Sequence, residues 1–388
     1  MAPTMDNIVV VGHGIAGTTA AATLREQGYR GRLTIVGAEP HEPYSRPALS
    51  KSALTEEGTF SSHLLPPADL DAEVLRGVSV TGLNLDRRQL QLSDGNSRDF
   101  DGLVIATGIR PRKLRPDLNL ELTYRNIEDA EALRAELSRK PRVAVVGAGV
   151  LGMELASACA AAGCAVTVIC RSQPMHSSLG PFLADVMQAA ATRRGVSIAN
   201  PHAVDVRLSA TEPGAREVVL ANGATVVADL VITAIGDVPN TEWLEGSGLL
   251  TEGELRVDER GRLAPNVVAA GDVACIPCRD GHARVPLWTS AIEQAKVAAR
   301  ALLLGDATPP LEFQPYFWTD QFGLALKACG PLPVCGEPEY VEGEPGLAPA
   351  VMRWQNADGS GTAVAINYRM PVPKLRAISR QSPKAAEA

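Results

Sequence analysis

The sequence predicts an α/β protein with two parallel-sheet domains, the second inserted in the first, and a smaller C-terminal α+β domain. Three observations support this prediction. An apolar strand, a glycine-rich turn and an Ala-rich helix follow one another from Ile8 and again from Val143. Two similar apolar segments, 100–108 and 229–236, lie on either side of the second of these units. Beyond residue 310 the chain holds half of its aromatic residues between short, turn-rich segments. Alternation of strands and helices is typical of parallel sheets, and the repeated segment would return the chain to its first domain.

The first glycine-rich turn, residues 12–17, has the spacing of a dinucleotide-binding motif. It follows a strand at 8–11, and a second strand at 33–36 ends shortly before Glu39. Gly12 permits a tight turn, Gly14 lets a pyrophosphate approach backbone N–H groups, and Gly17 lets the helix pack on the strand. Glu39 can accept hydrogen bonds from ribose hydroxyls. Because strand, turn, helix, strand and acid occur in order, we predict a Rossmann-like domain.

The segment Pro43–Lys51 contains two prolines, which predict an extended approach, and Ser50 could cap a following helix. We expect Arg46 and Lys51 to lie near the C-terminal edge of the sheet, where ligands of open α/β folds bind. Residues 78–92 alternate in polarity and predict antiparallel strands before a turn at Asp94-Gly95. Residues 100–108 predict a buried strand that ends in a loop of small residues.

A second glycine-rich turn occupies residues 147–152, after a predicted helix at 126–140 and a strand at 143–146. A helix is expected at 153–162 and a further strand at 165–169. Cys170 follows that strand at the position where an acid would bind a free ribose diol, and Arg171 comes next. An uncharged residue followed by arginine suits a 2′-phosphate, so NADPH is slightly favoured over NADH, although Arg171 could simply face solvent.

The rest of the chain completes the predicted domains. A short buried strand at 267–272 ends in Gly271-Asp272, and a helix at 287–304 is entered through Trp288. Gly271 leaves room for a ligand and Asp272 can accept hydrogen bonds from its hydroxyls. Turn-rich strands are expected up to about Ile378. The predicted division is residues 1–110 and 232–308 for the first domain, 111–231 for the second, 309–380 for the third and 381–388 for a disordered tail.

Composition excludes some classes of function. The 388 residues carry a net charge of −7, which argues against a general nucleic-acid or anionic-membrane binder. We expect no export signal, because no basic and apolar leader precedes the first strand. The apolar run 143–170 suits a buried parallel sheet better than a membrane span, because of its glycines. Seven cysteines without dense spacing fit a reducing cytoplasm. We expect a monomer or a weak dimer.

Two dinucleotide folds in one chain imply two nucleotides, most economically FAD and NAD(P)H, with hydride passing between them. The sequence resembles the ferredoxin and rubredoxin reductases of the glutathione-reductase-type fold. These reductases supply electrons to cytochromes P450 and ring-hydroxylating dioxygenases. Six motifs carry the resemblance, in the family's order: PYSRPALSK, VIATGIRPR, GAGVLGMELA, VVAAGD, LWTSAIEQA and PYFWTDQ. The resemblance covers nearly the whole chain. It implies a flavoprotein that passes single electrons to a ferredoxin or rubredoxin.

The resemblance also implies roles for residues. Lys51 would lie near the flavin ring, where a cation stabilises negative charge that develops on reduction. Glu154 would be its partner and a contact for the nicotinamide carboxamide, although the two could form only a structural salt bridge. The motifs and the resemblance together predict these cofactor-binding residues: Gly12, Gly14, Ile15, Ala16, Gly17, Glu39, Arg46, Lys51, Val80, Ala106, Thr107, Gly108, Arg125, Gly147, Gly149, Val150, Leu151, Gly152, Arg171, Gly236, Gly271, Asp272 and Trp288.

The route by which electrons leave the flavin is less clearly marked. Residues 41–55 contain no cysteine, which excludes the disulfide exchange of related reductases at that place. An acidic iron–sulfur protein is the expected acceptor, and a steering patch could be formed by Arg46, Arg110, Arg112, Lys113, Arg115 and Arg369. Cys275 and Cys278 have dithiol spacing, but two ordinary loop cysteines are the simpler interpretation. We expect four further cysteines to be core or strand residues: Cys159, Cys164, Cys329 and Cys335.

The sequence departs from the family at three places, and two alternative functions stay open. Cys170 replaces the acid typical of NADH-using relatives, which leaves the choice of coenzyme open. Pro286 stands where relatives usually have an acid, and the C-terminal region is somewhat short for the family, which bears on how a partner would dock. The alternatives are a flavin oxidase or small-molecule reductase of the same fold, and a nucleotide-bound interaction protein with little turnover.

Overall fold

The computed structural model describes residues 5–51, 54, 60–66, 69–279, 281–346, 348–356 and 359–381. Apart from Gln381, the tail predicted to be disordered lies outside the described residues. Among the described helices, none is long and apolar enough to cross a membrane.

The chain forms two compact units. The first comprises Met1–Ser45, Ser61–Arg110 and Val238–Phe313, and the second comprises Arg46–Phe60, Pro111–Asp237 and Gln314–Ala388. Residues Arg46–Phe60 therefore group with the segments 111–237 and 314–388. Each unit is described below by itself.

The described helices are Ile15–Glu26, Arg46–Leu49, Ile127–Leu137, Val150–Ala161, His176–Leu179, Pro181–Arg193, Trp288–Leu304 and Val372–Ser379, with 3-10 turns at Phe60–His63, Glu242–Leu244 and Gly305–Ala307. The strands are β1 Asn7–Val11, β2 Arg32–Gly37, β3 Glu73–Arg76, β4 Val80–Asn84, β5 Gln89–Leu92, β6 Ser97–Asp99, β7 Gly102–Ile105, β8 Ile109–Pro111, β9 Arg142–Val146, β10 Ala165–Ile169, β11 Ser197–Ala199, β12 Ala203–Leu208, β13 Arg216–Leu220, β14 Thr225–Ala228, β15 Leu230–Thr233, β16 Asp237–Pro239, β17 Leu255–Arg256, β18 Arg262–Ala264, β19 Val267–Ala269, β20 Ala274–Cys278, β21 Gly281–Arg284, β22 Tyr316–Gln321, β23 Leu324–Cys329, β24 Glu339–Glu342, β25 Ala350–Gln355 and β26 Gly361–Ile366.

The first unit is organised around a six-stranded sheet in the order β18-β19-β7-β1-β2-β3. The pairings of β1 with β2 and β7, of β7 with β19 and of β2 with β3 are parallel, so the carboxyl ends of these strands share one edge. Helices Ile15–Glu26 and Trp288–Leu304 pack against each other. Separate apolar clusters bury alternate residues of β1, with Ile8 and Val10 in one and Val9 and Val11 in the other. A sheet covered on both faces explains why its strands are continuously apolar.

The second unit contains a parallel sheet in the order β11-β10-β9-β15, together with a three-stranded antiparallel sheet β12-β13-β14. Its C-terminal part is a five-stranded antiparallel sheet in the order β22-β23-β26-β25-β24. Helix Val372–Ser379 packs on that sheet through Leu375 and Ile378. The predicted α/β fold class, with two Rossmann-like sheets, is confirmed.

Several local predictions differ from the structure. The segment after Pro43 does not stay extended, because Arg46–Leu49 forms a helical turn that accommodates Pro47 near its first position. Ser50 follows this turn, and its hydroxyl donates to the Glu154 carboxylate. The helix that Ser50 was predicted to cap would lie largely outside the described residues. The C-terminal region ends in a helix where strands were expected to run to Ile378. Cys164 lies in the loop before β10 and Cys335 in an exposed loop, so neither is a core or strand residue.

Candidate functional site

The glycine loop of the first unit joins β1 to helix Ile15–Glu26. Gly12 has φ +115°, and a Cβ atom there would collide with the carbonyl oxygen of Ala106, which follows β7. A Cβ at Gly17 would collide with the carbonyl oxygen of Gly12. At Gly14, in contrast, a Cβ would meet no atom within 4 Å. The first and third glycines therefore permit close backbone packing, and the second borders open space.

The helix that begins in this loop presents its N-terminus without a competing side chain. Gly14 is its N-cap residue, makes no side-chain capping bond, and is followed by a first turn without acidic residues. Backbone N–H groups at such an end, together with the helix dipole, bind anions. Ile15 and Ala16 belong to this first turn. The loop fits the pyrophosphate of a dinucleotide.

Two further loops of the first unit adjoin this one. Thr107 donates its hydroxyl to the backbone oxygen of Asn240 at 2.8 Å, and the Asn240 side chain returns a bond to the Thr107 oxygen at 2.9 Å. The backbone N–H of Asn240 also bonds to the oxygen of Gly108 at 3.0 Å. Asn240 thus fixes the loop 106–108, and sequence analysis did not identify it, because its partner is 133 residues away.

The third loop contains Gly271 and Asp272, just beyond β19. A Cβ at Gly271 would lie 2.9 Å from the Cβ of Ala16, so only glycine allows the loop to approach helix Ile15–Glu26 this closely. The backbone N–H of Gly271 donates to Gln294 Oε1 at 3.0 Å, and Gln294 Nε2 donates to Ser290 at 2.8 Å. Both partners lie on the helix that begins at Trp288. The carboxyl ends of β1, β7 and β19 therefore bring three predicted loops together.

Two other predicted residues of the first unit lie apart from these loops in sequence. Glu39 follows β2, and its Oε2 accepts the hydroxyl proton of Tyr44 at 2.5 Å. Val80 begins β4 in the separate three-stranded sheet β4-β5-β6. Tyr44 is buried and orients the Glu39 carboxylate, a role that sequence analysis missed.

The second unit repeats the glycine loop with the same stereochemistry. Gly147 has φ +106°, and a Cβ there would collide with the carbonyl oxygen of Ala234, beyond β15. A Cβ at Gly152 would collide with the oxygen of Gly147, and one at Gly149 would meet nothing within 4 Å. Helix Val150–Ala161 begins without a side-chain cap or an acid in its first turn, which includes Val150 and Leu151. Gly236 has φ +101° and lies in the loop after β15.

The loop after β10 carries the residues predicted to select the coenzyme. Its backbone is tied to the glycine loop, because Met175 N–H donates to the Ala148 oxygen at 2.9 Å. Cys170 is buried and its thiol lies 3.6 Å from Asn200 Oδ1, whereas Arg171 is exposed. Burial raises the pKa of the Cys170 thiol, so this position stays uncharged at neutral pH.

Lys51 and Glu154 form an ion pair within the second unit, with 2.9 Å between Lys51 Nζ and Glu154 Oε1. The lysine side chain is 15% exposed and the glutamate side chain 4%. The turn that carries Lys51 is held by residues 124–125: Tyr124 donates its hydroxyl to the Leu49 oxygen at 2.5 Å, and Arg46 donates to the Arg125 oxygen at 3.1 Å. The structure thus brings together Arg46, Lys51, Arg125 and Glu154.

The cysteines provide no dithiol. All seven are free thiols. Cys275 and Cys278 lie three residues apart on β20, which directs them to opposite faces of the strand, and Cys275 is buried while Cys278 is exposed. No group of His, Cys, Asp or Glu side chains among the described residues could hold a metal ion. Cys275 and Cys278 are therefore free thiols on a strand, and the interpretation of them as loop cysteines was wrong about their position.

The predicted steering patch is partly neutralised. Arg110 is paired with Glu242, and Arg115 is paired with Asp117 and Asp205 at 2.8 and 2.9 Å. Arg112 donates to the Asp237 backbone oxygen at 3.2 Å. Arg369 is exposed in the C-terminal part of the second unit.

Two glycine loops of the same form, each opening on an uncapped helix, define a protein that binds two nucleotides. The chain belongs to the pyridine nucleotide-disulphide oxidoreductase family, whose model matches residues 6–300. Membership of this family implies that the protein binds FAD and NAD(H). The uncapped helix N-termini, and the open space beside Gly14 and Gly149, fit the two nucleotides.

Among its relatives is the ferredoxin–NAD(+) reductase component of the p-cumate 2,3-dioxygenase system of Pseudomonas putida, 34% identical over 338 residues, which are 85% of this chain and 82% of that protein. Putidaredoxin reductase of Pseudomonas putida is 33% identical over 340 residues, 84% of this chain and 80% of that protein. The crystal structure of the covalent putidaredoxin reductase–putidaredoxin complex superimposes with a TM-score of 0.84 at 29% identity, covering 96% of this chain and 92% of that one. The resemblance to ferredoxin reductases is confirmed.

Proposed function

We propose that this chain is a flavoprotein reductase that takes hydride from NAD(P)H onto FAD and passes electrons one at a time to a ferredoxin. The observation that carries the proposal is a nucleotide cradle that occurs twice, formed by the glycine loops 12–17 and 147–152. Gly14 and Gly149 each border open space at an uncapped helix N-terminus. The family and the ferredoxin reductases among its relatives support the same function.

We assign FAD to the cradle of the first unit and the pyridine nucleotide to that of the second. Glu39 and Asp272 accept hydrogen bonds from hydroxyls of the first nucleotide, and the loops 106–108 and 271–272 border it. When bound, the flavin accepts a hydride and releases its electrons singly. The Lys51 ammonium supplies a fixed positive charge for the electron-rich ring, and the Glu154 carboxylate keeps this ammonium in one position.

The proposal also includes a choice between NADPH and NADH as the coenzyme. An aspartate or glutamate after β10 would repel a 2′-phosphate, and this chain has the neutral Cys170 there with the exposed Arg171 next to it. The backbone bond from Met175 to Ala148 keeps this loop beside the nucleotide cradle. These features support a modest preference for NADPH over NADH.

The acceptor would be a small acidic iron–sulfur protein, a ferredoxin or a rubredoxin, in a system that ends in a cytochrome P450 or a dioxygenase. Among the described residues from Gly359 to Gln381, every charged side chain is cationic, in a chain whose net charge is −7. These cations are Arg369, Lys374, Arg376 and Arg380. A local cationic surface of this kind steers an acidic partner. The seven free thiols fit the cytoplasm, and we propose a monomer or a weak dimer.

Anaerobic reduction tests the proposal. The purified protein, supplied with FAD, is mixed with NADPH or NADH while the flavin absorbance is followed, and then with ferredoxins, a rubredoxin or dioxygen. We expect bleaching by the coenzyme, rapid reoxidation by an iron–sulfur protein and slow reoxidation in air. A protein that retains no FAD, or a flavin that dioxygen reoxidises faster than any iron–sulfur protein does, would contradict it.

A further inference from the structure

The Glu154 carboxylate is surrounded by hydrogen-bond donors. Ser50 donates its hydroxyl to Oε2 at 2.5 Å, Lys51 Nζ lies 2.9 Å from both carboxylate oxygens, and Thr319 donates its hydroxyl to Oε1 at 2.6 Å. Glu154 is only 3% exposed. A carboxylate only accepts hydrogen bonds, so its two oxygens can satisfy all three of these donors. The orientation of this carboxylate therefore depends on more than its ion pair with Lys51.

The direction of the Thr319 hydroxyl is set by a second buried side chain. Gln321 Nε2 donates to Thr319 Oγ1 at 2.9 Å. Thr319 and Gln321 are two residues apart on β22, and are 0% and 3% exposed. A hydroxyl has one proton, so a Thr319 oxygen that accepts from the amide must direct its own proton elsewhere, and the acceptor within reach is Glu154. If the Gln321 amide were turned around, its oxygen and Glu154 Oε1 would both face the Thr319 hydroxyl as acceptors. The single hydroxyl proton could then be donated to Gln321, and Glu154 Oε1 would lose this donor.

We propose that Thr319 is a positioning residue for Lys51, acting through Glu154, and that Gln321 fixes the orientation of the Thr319 hydroxyl. Thr319 holds one carboxylate oxygen and Ser50 the other, so the carboxylate cannot rotate and the ammonium it binds keeps one position. Thr319 lies beyond residues 6–300, the range that the family model matches. The C-terminal β-sheet of the second unit thus contributes directly to the ion pair. This inference rests on the proposed function, in which Lys51 supplies the charge for flavin reduction.

The experiment compares Thr319→Val, which keeps the side-chain shape but lacks the hydroxyl, with Thr319→Ser, which keeps the hydroxyl. The first readout is the limiting rate of flavin reduction by saturating coenzyme. We expect Thr319→Val to lower this rate about tenfold, the effect of one hydrogen bond to a charged group, with the coenzyme Kd within about twofold of the wild type. Thr319→Ser should restore most of the rate. Gln321→Met, which removes the amide donor, should lower the rate by a smaller factor.

A second readout does not depend on turnover. Acetylation of Lys51 in the folded protein, measured by mass spectrometry relative to the exposed Lys140, should be several-fold faster in Thr319→Val than in the wild type or Thr319→Ser. Unchanged labelling of Lys51 in Thr319→Val would overturn the proposal, whatever the rate of reduction. Equal impairment of the Val and Ser variants would also overturn it, because packing rather than the hydroxyl would then be responsible. A wild-type flavin that no coenzyme reduces would contradict the proposed function, and the labelling would still decide the role of Thr319.

Discussion

A Cβ atom added at Gly147 would collide with the carbonyl oxygen of Ala234, just as one added at Gly12 would collide with that of Ala106. In both units the strand beside the glycine loop supplies this carbonyl, and the next glycine of each motif is left bordering open space. Each loop therefore contains one glycine that is required for backbone packing and one that leaves room for a ligand. This difference can be tested by adding a methyl group at each position.

Gly14→Ala should fold normally and lose FAD. Its φ of −87° is allowed for alanine, and no atom lies within 4 Å of the added Cβ, so the methyl group occupies the space assigned to the pyrophosphate. We expect the affinity for FAD to fall about tenfold or more. The measurement is the FAD content and Kd of the purified variant, with circular dichroism as the check on folding.

Two matched variants sharpen this prediction. Gly149→Ala should keep FAD and weaken only the coenzyme, because it changes the other loop. Gly17→Ala should instead destabilise the protein by about 1–3 kcal/mol, because its Cβ collides with the Gly12 backbone. Gly14→Ala with unchanged FAD affinity would exclude this loop as the FAD site.

Removal of the Lys51 charge should slow flavin reduction. Lys51→Met leaves the buried Glu154 without its cation, which is expected to cost about 3–5 kcal/mol of folding free energy as well as activity. The double variant Lys51→Met with Glu154→Gln should recover much of that stability but not the rate. Thermal unfolding and stopped-flow reduction separate the two effects. If the double variant reduced its flavin at the wild-type rate, the pair would be a structural salt bridge.

The strand, glycine turn and helix of each unit could be predicted from the sequence because they depend largely on local constraints. Gly17 is required by a contact with Gly12 within one strand-turn-helix unit, and apolar strands such as β1 are covered on both faces. The surroundings of Glu154 were not predictable in the same way. Ser50 and Thr319 lie 104 and 165 residues from Glu154 in sequence, and only the fold brings their hydroxyls to its carboxylate.

Other differences also have physical causes. The prolines of the segment 43–51 suggested an extended chain, but proline is well suited to the first turn of a helix, and Arg46–Leu49 forms one. The helix Val372–Ser379 is short and begins beside prolines, so its apolar residues were interpreted as strand. Asn240 and Tyr44 gave no sequence signal, because each acts through one hydrogen-bond partner that the motifs do not specify.

The coenzyme preference should depend on Arg171. Arg171→Glu places a negative charge beside the expected 2′-phosphate, so the ratio of kcat/KM for NADPH to that for NADH should fall about tenfold or more. Arg193→Glu, an exposed charge reversal in the same unit, serves as the control and should leave the ratio unchanged. An unaltered ratio in Arg171→Glu would mean that Arg171 only faces solvent.

Cys275 and Cys278 should not act as a redox pair. Burial raises the pKa of the Cys275 thiol, so at pH 8 iodoacetamide should label Cys278 well before Cys275. The double variant Cys275→Ser with Cys278→Ser should keep the wild-type rate of ferredoxin reduction. Peptide mass spectrometry and steady-state assays make these measurements. A large loss of ferredoxin reduction, or a disulfide between the two, would support the dithiol hypothesis.

The cationic segment 359–381 should govern delivery of electrons to the acceptor but not their uptake from the coenzyme. Lys374 and Arg380 are exposed on or next to helix Val372–Ser379, whose opposite face is buried through Leu375 and Ile378. Lys374→Glu combined with Arg380→Glu should therefore leave the fold and flavin reduction intact. At low salt we expect the second-order rate of ferredoxin reduction to fall about tenfold, with a weaker dependence on ionic strength than in the wild type, because steering by surface charge is screened by salt. Arg139→Glu together with Arg193→Glu, two exposed arginines elsewhere in the second unit, is the matched control for the change in net charge. If both double variants slowed ferredoxin reduction equally, the overall charge of the protein, and not this segment, would control the encounter.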